Sequence, residues 1–133
     1  MRFVLDASIA ITWAMRDEDH SLADCAFVEL QSDSAIVPGI WWYEIRNILV
    51  LNERRNRISQ NDSTQFLRDL EQFSIDVDFP HSGTQIIELS RKHKLSVYDA
   101  AYLAVAIRER LPLATLDKTL EAAALAEGVV LLT

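Results

Sequence analysis

Four carboxylates, Asp6, Glu44, Asp99 and Asp117, fall where a chain of alternating strands and helices would bring them to one edge of its sheet. Asp6 ends the apolar run Phe3-Val4-Leu5, and Asp117 follows Leu113-Ala114-Thr115-Leu116. Each therefore stands just past a segment with the make-up of a buried strand. Asp99 opens the most apolar helical stretch of the chain, and Glu44 lies early in a helix that follows a strand. In parallel α/β sheets the strand C-termini and the following helix N-termini share an edge, and ligands bind there. At an effective dielectric near 20, two charges about 5 Å apart repel by about 3 kcal/mol. Four such acids need a counter-charge, and a divalent cation supplies one. Oxygen donors with no Cys or His nearby in sequence suit Mg²⁺ or Mn²⁺ better than zinc. Ser8 and Thr115, each two residues from an acid, are placed to hydrogen-bond the carboxylates from behind. Plain turn hydroxyls would read the same way.

Each acid also has a simpler reading. An Asp after a strand often caps the next helix, which suffices for Asp6 or Asp117 taken alone. Asp99 three residues after Ser96 completes a capping box, although the box leaves the apolar character of the helix unexplained. For Glu44 the simpler reading is a structural ion pair. Its neighbours three and four residues away are Ile40, Trp41, Asn47 and Ile48, so its face packs inward. Arg46 is badly placed to neutralise it, because side chains two apart on a helix diverge. An unpaired buried carboxylate costs several kcal/mol or takes up a proton.

The elements that would hold these residues alternate along the chain. Strands are expected at 2–5, 35–37, 75–79, 113–116 and 129–132. Helices are expected at 7–15, from Ser21 as cap to about 30, and at 40–56, 63–73, 84–93, 97–110 and 118–127. The segment Asp17-Glu18-Asp19-His20 reads as a polar turn. Residues 75–79 alternate apolar side chains with Asp, which marks an exposed or edge strand. Strands alternating with helices predict an α/β fold, a three-layer α/β/α sandwich around a central, mostly parallel sheet. With 133 residues and neither linker nor repeat, residues 1–133 are expected to form one domain.

Thirteen basic and twenty acidic residues give a net charge of −7, so no broad basic surface advertises nucleic acid. Setting aside the four acids leaves thirteen against sixteen, or −3, so part of the excess belongs to the candidate site. The lone Cys25 cannot form an internal disulfide, which fits a reducing cytoplasm. No run approaches the roughly 18 apolar residues of a membrane span, and a cytoplasmic location is expected. Local positive charge is found at Arg54-Arg55-Asn56-Arg57 and Arg91-Lys92-His93-Lys94, and beside the acids at Arg46 and Lys118. The two residues adjoining acids are the better placed to meet an anionic ligand at the site. His20, His81 and His93 read as ordinary surface histidines.

The segments Val4-Leu5-Asp6-Ala7-Ser8, Val37-Pro38 through Tyr43-Glu44-Ile45-Arg46-Asn47-Ile48-Leu49, Val97-Tyr98-Asp99-Ala100-Ala101-Tyr102 and Leu113-Ala114-Thr115-Leu116-Asp117 together resemble the PIN-domain pattern. At this length the chain is most similar to VapC-type ribonuclease toxins of type II toxin–antitoxin systems. The resemblance spans essentially the whole chain. It implies that Asp6, Glu44, Asp99 and Asp117 are the metal-binding, catalytic acids, that Thr115 is a supporting hydroxyl, and that Asn47 orients Glu44. It implies Mg²⁺-dependent endoribonuclease chemistry, with Mn²⁺ as a substitute. The implied partners are an RNA substrate, a small antitoxin that blocks the acidic site, and a second copy of the chain in a homodimer. Trp41, Trp42, Ile45, Ile48, Leu49, Val50 and Leu51 make the 40–56 helix apolar over more than one face, and some of this surplus fits such a contact, as a buried central helix would too. Two rivals share some of these features. One is a flavodoxin-like receiver or phosphatase with a nucleophilic Asp6, and the other is a PIN-like module that binds without catalysis.

Overall fold

A computed structural model describes residues 1–15 and 20–133. The expected turn at Asp17-Glu18-Asp19 lies outside the described residues. Strand β1 (Phe3–Leu5) is followed by α1 (Ala7–Ala10), a 3-10 turn (Ile11–Ala14), α2 (Ser21–Ser32), β2 (Ala35–Pro38) and α3 (Ile40–Arg54). Then come α4 (Gln60–Leu70), β3 (Ile75–Asp78), α5 (Gly83–His93), α6 (Val97–Glu109), β4 (Leu113–Ala114) and α7 (Lys118–Ala126). The sheet order is β3-β2-β1-β4, and every strand pair in it is parallel. The expected three-layer α/β fold is what forms.

Strand β1 sits in the middle, and its three side chains are fully buried. A strand covered on both faces needs apolar residues at every position, and Phe3, Val4 and Leu5 supply them. At the other extreme, β3 forms an edge with Asp76 and Val77 exposed, as its alternating sequence requires. Helix α6 lies along β1, β2 and β4. Its buried residues Tyr102, Leu103, Ala104, Val105 and Ala106 run continuously, so its middle is enclosed on all sides. Ser96 caps its start by accepting from the backbone N–H of Asp99 at 3.0 Å. Arg110, left-handed at φ 54°, ends it.

Several expected boundaries move. The helix expected at 7–15 divides into α1 and the 3-10 turn, where the Thr12 hydroxyl bonds the Ile9 carbonyl at 2.8 Å and competes with the helical ladder. Ser21 is the first residue of α2 rather than its cap; His20 holds that position without a side-chain bond. Helix α4 begins three residues before the expected start, because Ser59 caps it by accepting from Asp62 at 3.0 Å. The strand expected at 113–116 shortens to two residues, since Thr115 turns its hydroxyl toward neighbouring side chains. The final strand expected at 129–132 reduces to a single parallel bridge between Leu113 and Leu131. With only two residues of β4 to pair against, the ladder cannot continue.

Candidate active site

Asp6 is the deepest of the four acids, at 5% exposure, at the C-terminal end of β1. It occupies the N-cap position of α1, yet its side chain makes no capping bond. Instead its Oδ2 accepts from the Ser8 hydroxyl at 2.7 Å and from the Thr115 hydroxyl at 2.6 Å. Thr115 is itself 1% exposed, and its Oγ1 accepts from the backbone N–H of Asp117 at 3.0 Å. Ser8 Oγ in turn accepts from the backbone N–H of Leu116 at 3.0 Å. Two of these bonds tie the end of β1 to the segment after β4, across 108 and 109 residues of sequence. Two hydroxyls chosen from sequence therefore meet at one carboxylate.

Asp117 does cap α7: its Oδ1 accepts from the backbone N–H of Leu120 at 2.9 Å. Asp99, the third residue of α6, is half-buried at the helix start, where the helix dipole favours negative charge. Glu44 stands one turn into α3, half-buried, and its Oε1 accepts from the Tyr102 hydroxyl at 2.7 Å. Tyr102 is fully buried in α6. Sequence reading gave Tyr102 no role. The available signal was its position three residues after Asp99, which puts both on one face of α6.

The acids act on one another electrostatically. Burial raises the Asp6 carboxyl above its ordinary pKa, against the two hydroxyl bonds, and the charge of Asp117 adds to the rise. Burial likewise raises Glu44, opposed by Tyr102 and reinforced by Asp6 and Asp99. Asp99 is raised by burial, then by Asp117 and Asp6. Burial and the charges of Asp6 and Glu44 keep the Tyr102 phenol protonated, so it remains a donor. All four acids thus belong to one field of like charge.

The donor set fits a hard divalent cation: oxygen ligands only, carrying excess negative charge. Among the described residues, no three His, Cys, Asp or Glu side chains stand close enough together to form a metal cage as they are.

The remaining candidates lie around this centre. Asn47 is exposed and has no hydrogen bond to Glu44; Tyr102 makes that contact instead. Arg46 donates to the Trp42 carbonyl at 3.0 Å and lies over the Trp42 ring at 3.6 Å. Lys118 is highly exposed, with Glu121 at 3.5 Å. Glu44, Arg46, Asn47 and Arg54 line a 580 Å³ groove along α3. Basic residues thus lead away from one of the acids. Elsewhere His93 and Lys92 both pair with Glu127, and His81 sits near Asp78. No helix among the described residues is long and apolar enough to cross a membrane.

A family model described as "PIN domain" matches residues 3–125. A curated relative, Ribonuclease VapC3 of Pyrobaculum aerophilum, is 29% identical over 124 residues, covering 90% of this chain and 92% of its own. Among solved structures, PAE2754 from Pyrobaculum aerophilum aligns with a TM-score of 0.72 at 22% identity, over 92% of this chain and 84% of that one. Mycobacterium tuberculosis VapC20, described as a toxin that cleaves the sarcin-ricin loop, aligns with a TM-score of 0.60 at 13% identity, over 92% of this chain and 95% of that one. The two structures carry the fold, and the family match displaces the receiver-type alternative. The chain belongs to the PIN domain family.

Proposed function

We propose that this chain is a divalent-metal-dependent endoribonuclease of the VapC type, a toxin that cuts RNA phosphodiester bonds and is neutralised by a small antitoxin. The observation that carries the reading is the convergence of Asp6, Glu44, Asp99 and Asp117 from four separate elements into one field of mutual repulsion. Such an arrangement is costly to the fold unless a cation compensates it. The relationship to Ribonuclease VapC3 supports RNA as the substrate.

Mg²⁺, or Mn²⁺ in its place, would supply charge stabilisation at the phosphate and a lowered pKa for a nearby water. The chain's own residues supply position. Ser8 and Thr115 fix the rotamer of Asp6 and favour its ionised form, the form that binds a cation. Tyr102 does the same for Glu44 from the opposite helix. Asp117 is held by the first turn of α7, and Asp99 by the start of α6. Arg46 and Arg54 offer positive charge beside Glu44 for the RNA backbone, and Lys118 does so beside Asp117. The homodimer expected from the resemblance belongs to this same reading.

The test compares wild type with Asp6→Asn and Asp99→Asn under induced expression, reading growth and new RNA 5′ ends. Wild type should arrest growth and generate new ends, and both variants should do neither. Equal arrest by the variants would refute the nuclease mechanism. Calorimetry that finds no Mn²⁺ binding by wild type would favour a PIN-like module without catalysis.

A further inference from the structure

A second cavity, of 340 Å³, lies beside the acids and is unused by the reading above. It opens between the start of α3, the start of α5 and one face of α6, near the lower end of the usual range for small-ligand cavities, about 300 Å³. Its rim carries Tyr43 and Tyr98, which are 66% and 59% exposed. Each immediately precedes a candidate catalytic acid, Glu44 and Asp99 respectively. Both tyrosines, with Ile40, also line the α3 groove that holds Arg46 and Arg54. The two rings therefore form the partition between a basic groove and a mostly apolar cavity.

Neither the setting of the rings nor the polar end of the cavity is random. Tyr43 packs edge-on to Trp42 with centroids 5.1 Å apart, and Arg46 lies over that indole at 3.6 Å. Inside the cavity Arg108 and Asp78 form an ion pair, with Nη2 2.8 Å from Oδ1. Gln85 and His81 add polar atoms nearby.

We infer that this cavity receives one unstacked nucleobase of the RNA next to the scissile phosphate, stacked on Tyr98 and Tyr43. The inference rests on the ribonuclease reading and adds a base site to it. Proteins that read single-stranded RNA splay bases onto aromatic rings while basic side chains follow the backbone. Here the groove and the cavity share their aromatic wall, so a strand whose phosphates follow Arg46 and Arg54 has a base beside the opening. The Arg108–Asp78 pair is already closed on itself at 2.8 Å and leaves Gln85 and His81 as the polar lining nearest such a base. The occupied site would favour an unpaired base over one held in a duplex.

The test measures binding of a short single-stranded oligoribonucleotide in EDTA, so that cleavage is suppressed. Its partner probe is identical except for one abasic position. Scanning the bases through that position gives a base-over-abasic affinity ratio. Tyr98→Ala should reduce that ratio by roughly 5- to 150-fold, the range for loss of a stacked base, while Tyr98→Phe keeps it. Tyr43→Ala should act in the same direction. An unchanged ratio in Tyr98→Ala, with wild type cleaving RNA normally, overturns the base site alone. Conversion of a dimer to a monomer by Tyr98→Ala, with the ratio unchanged, would assign the face to a second copy and also overturn it. A wild type that neither binds nor cleaves RNA removes the ribonuclease reading and this one together.

Discussion

Replacing Asp6 by Asn should change how stability depends on pH, and the sign follows from the site. The Asp6 carboxyl is 5% exposed, and burial lifts its folded-state pKa above the ordinary carboxylate value, with Asp117 adding to the rise. Between the unfolded value, about 3.9, and the raised folded value, the native state holds more protons than the unfolded chain. Stability therefore falls as pH rises through that window and is regained on acidification. In EDTA, wild type should gain stability relative to Asp6→Asn as pH falls from the raised folded value toward the unfolded one. The limiting slope is about 1.4 kcal/mol per pH unit. Glu44 and Asp99 are raised partly by the Asp6 charge, so losing that charge relaxes them as well, with the same sign. The lowered carboxyls Asp33 and Glu127 titrate below this window and leave it undisturbed. For a chain of this size each kcal/mol moves the melting temperature by roughly 3–5 °C, within reach of scanning calorimetry. Saturating Mn²⁺ should reverse the picture at pH 7.5, stabilising wild type by about 2.7 kcal/mol at a hundredfold excess over Kd and the variant far less. A wild-type minus variant difference that stays flat from pH 7.5 down to about 4 would refute the account of Asp6 as a strained buried charge.

Tyr102→Phe deletes the donor at 2.7 Å from Glu44 without altering the core volume. Turnover of RNA should fall roughly tenfold while stability drops by about 1 kcal/mol, half-exposure of Glu44 discounting the usual value for a charged hydrogen bond; wild-type turnover would show that Glu44 needs no such anchor. Leu103→Ala empties a fully buried position on α6 and should cost about 2–5 kcal/mol in equilibrium urea unfolding. A loss under about 1 kcal/mol would mean that α6 is not packed against the sheet as described.

Much of this arrangement is legible in the sequence because burial on both sides leaves a plain signature. Phe3-Val4-Leu5 can be little else than a central strand, and Val97 to Ile107 little else than an inner helix. Ser96 and Asp99 mark a helix start in either reading, and the bond between them forms. The Ser8 and Thr115 hydroxyls were suggested by spacing alone, but their meeting on a single oxygen of Asp6 depends on β1 and β4 lying side by side. What sequence conceals is whatever depends on contacts between distant elements. The Tyr102 bond to Glu44 joins residues 58 positions apart; the spacing from Asp99 places Tyr102 on the acid's face but does not name Glu44 as its partner. The missing final strand has the same origin: Val129-Val130-Leu131-Leu132 has strand composition, but its neighbour offers just two residues. Arg108 stands in the last turn of α6, and only the fold places it against Asp78 in a cavity.

The hydrogen bonds around the acids also bear on which ion the site would prefer. Asp6 Oδ2, Glu44 Oε1 and Asp117 Oδ1 are each engaged by a donor of the protein itself. An oxygen that accepts one hydrogen bond keeps a lone pair, so Glu44 Oε1 and Asp117 Oδ1 would still be open to a cation, whereas Asp6 Oδ2 already takes two hydroxyls. Asp6 would therefore meet an ion through Oδ1 alone. Calcium, which commonly draws both oxygens of a carboxylate into its shell, would have to displace Ser8 or Thr115 to do so there, and a small octahedral ion would not. Two hydroxyls behind the carboxylate would thus decide which of its oxygens is offered.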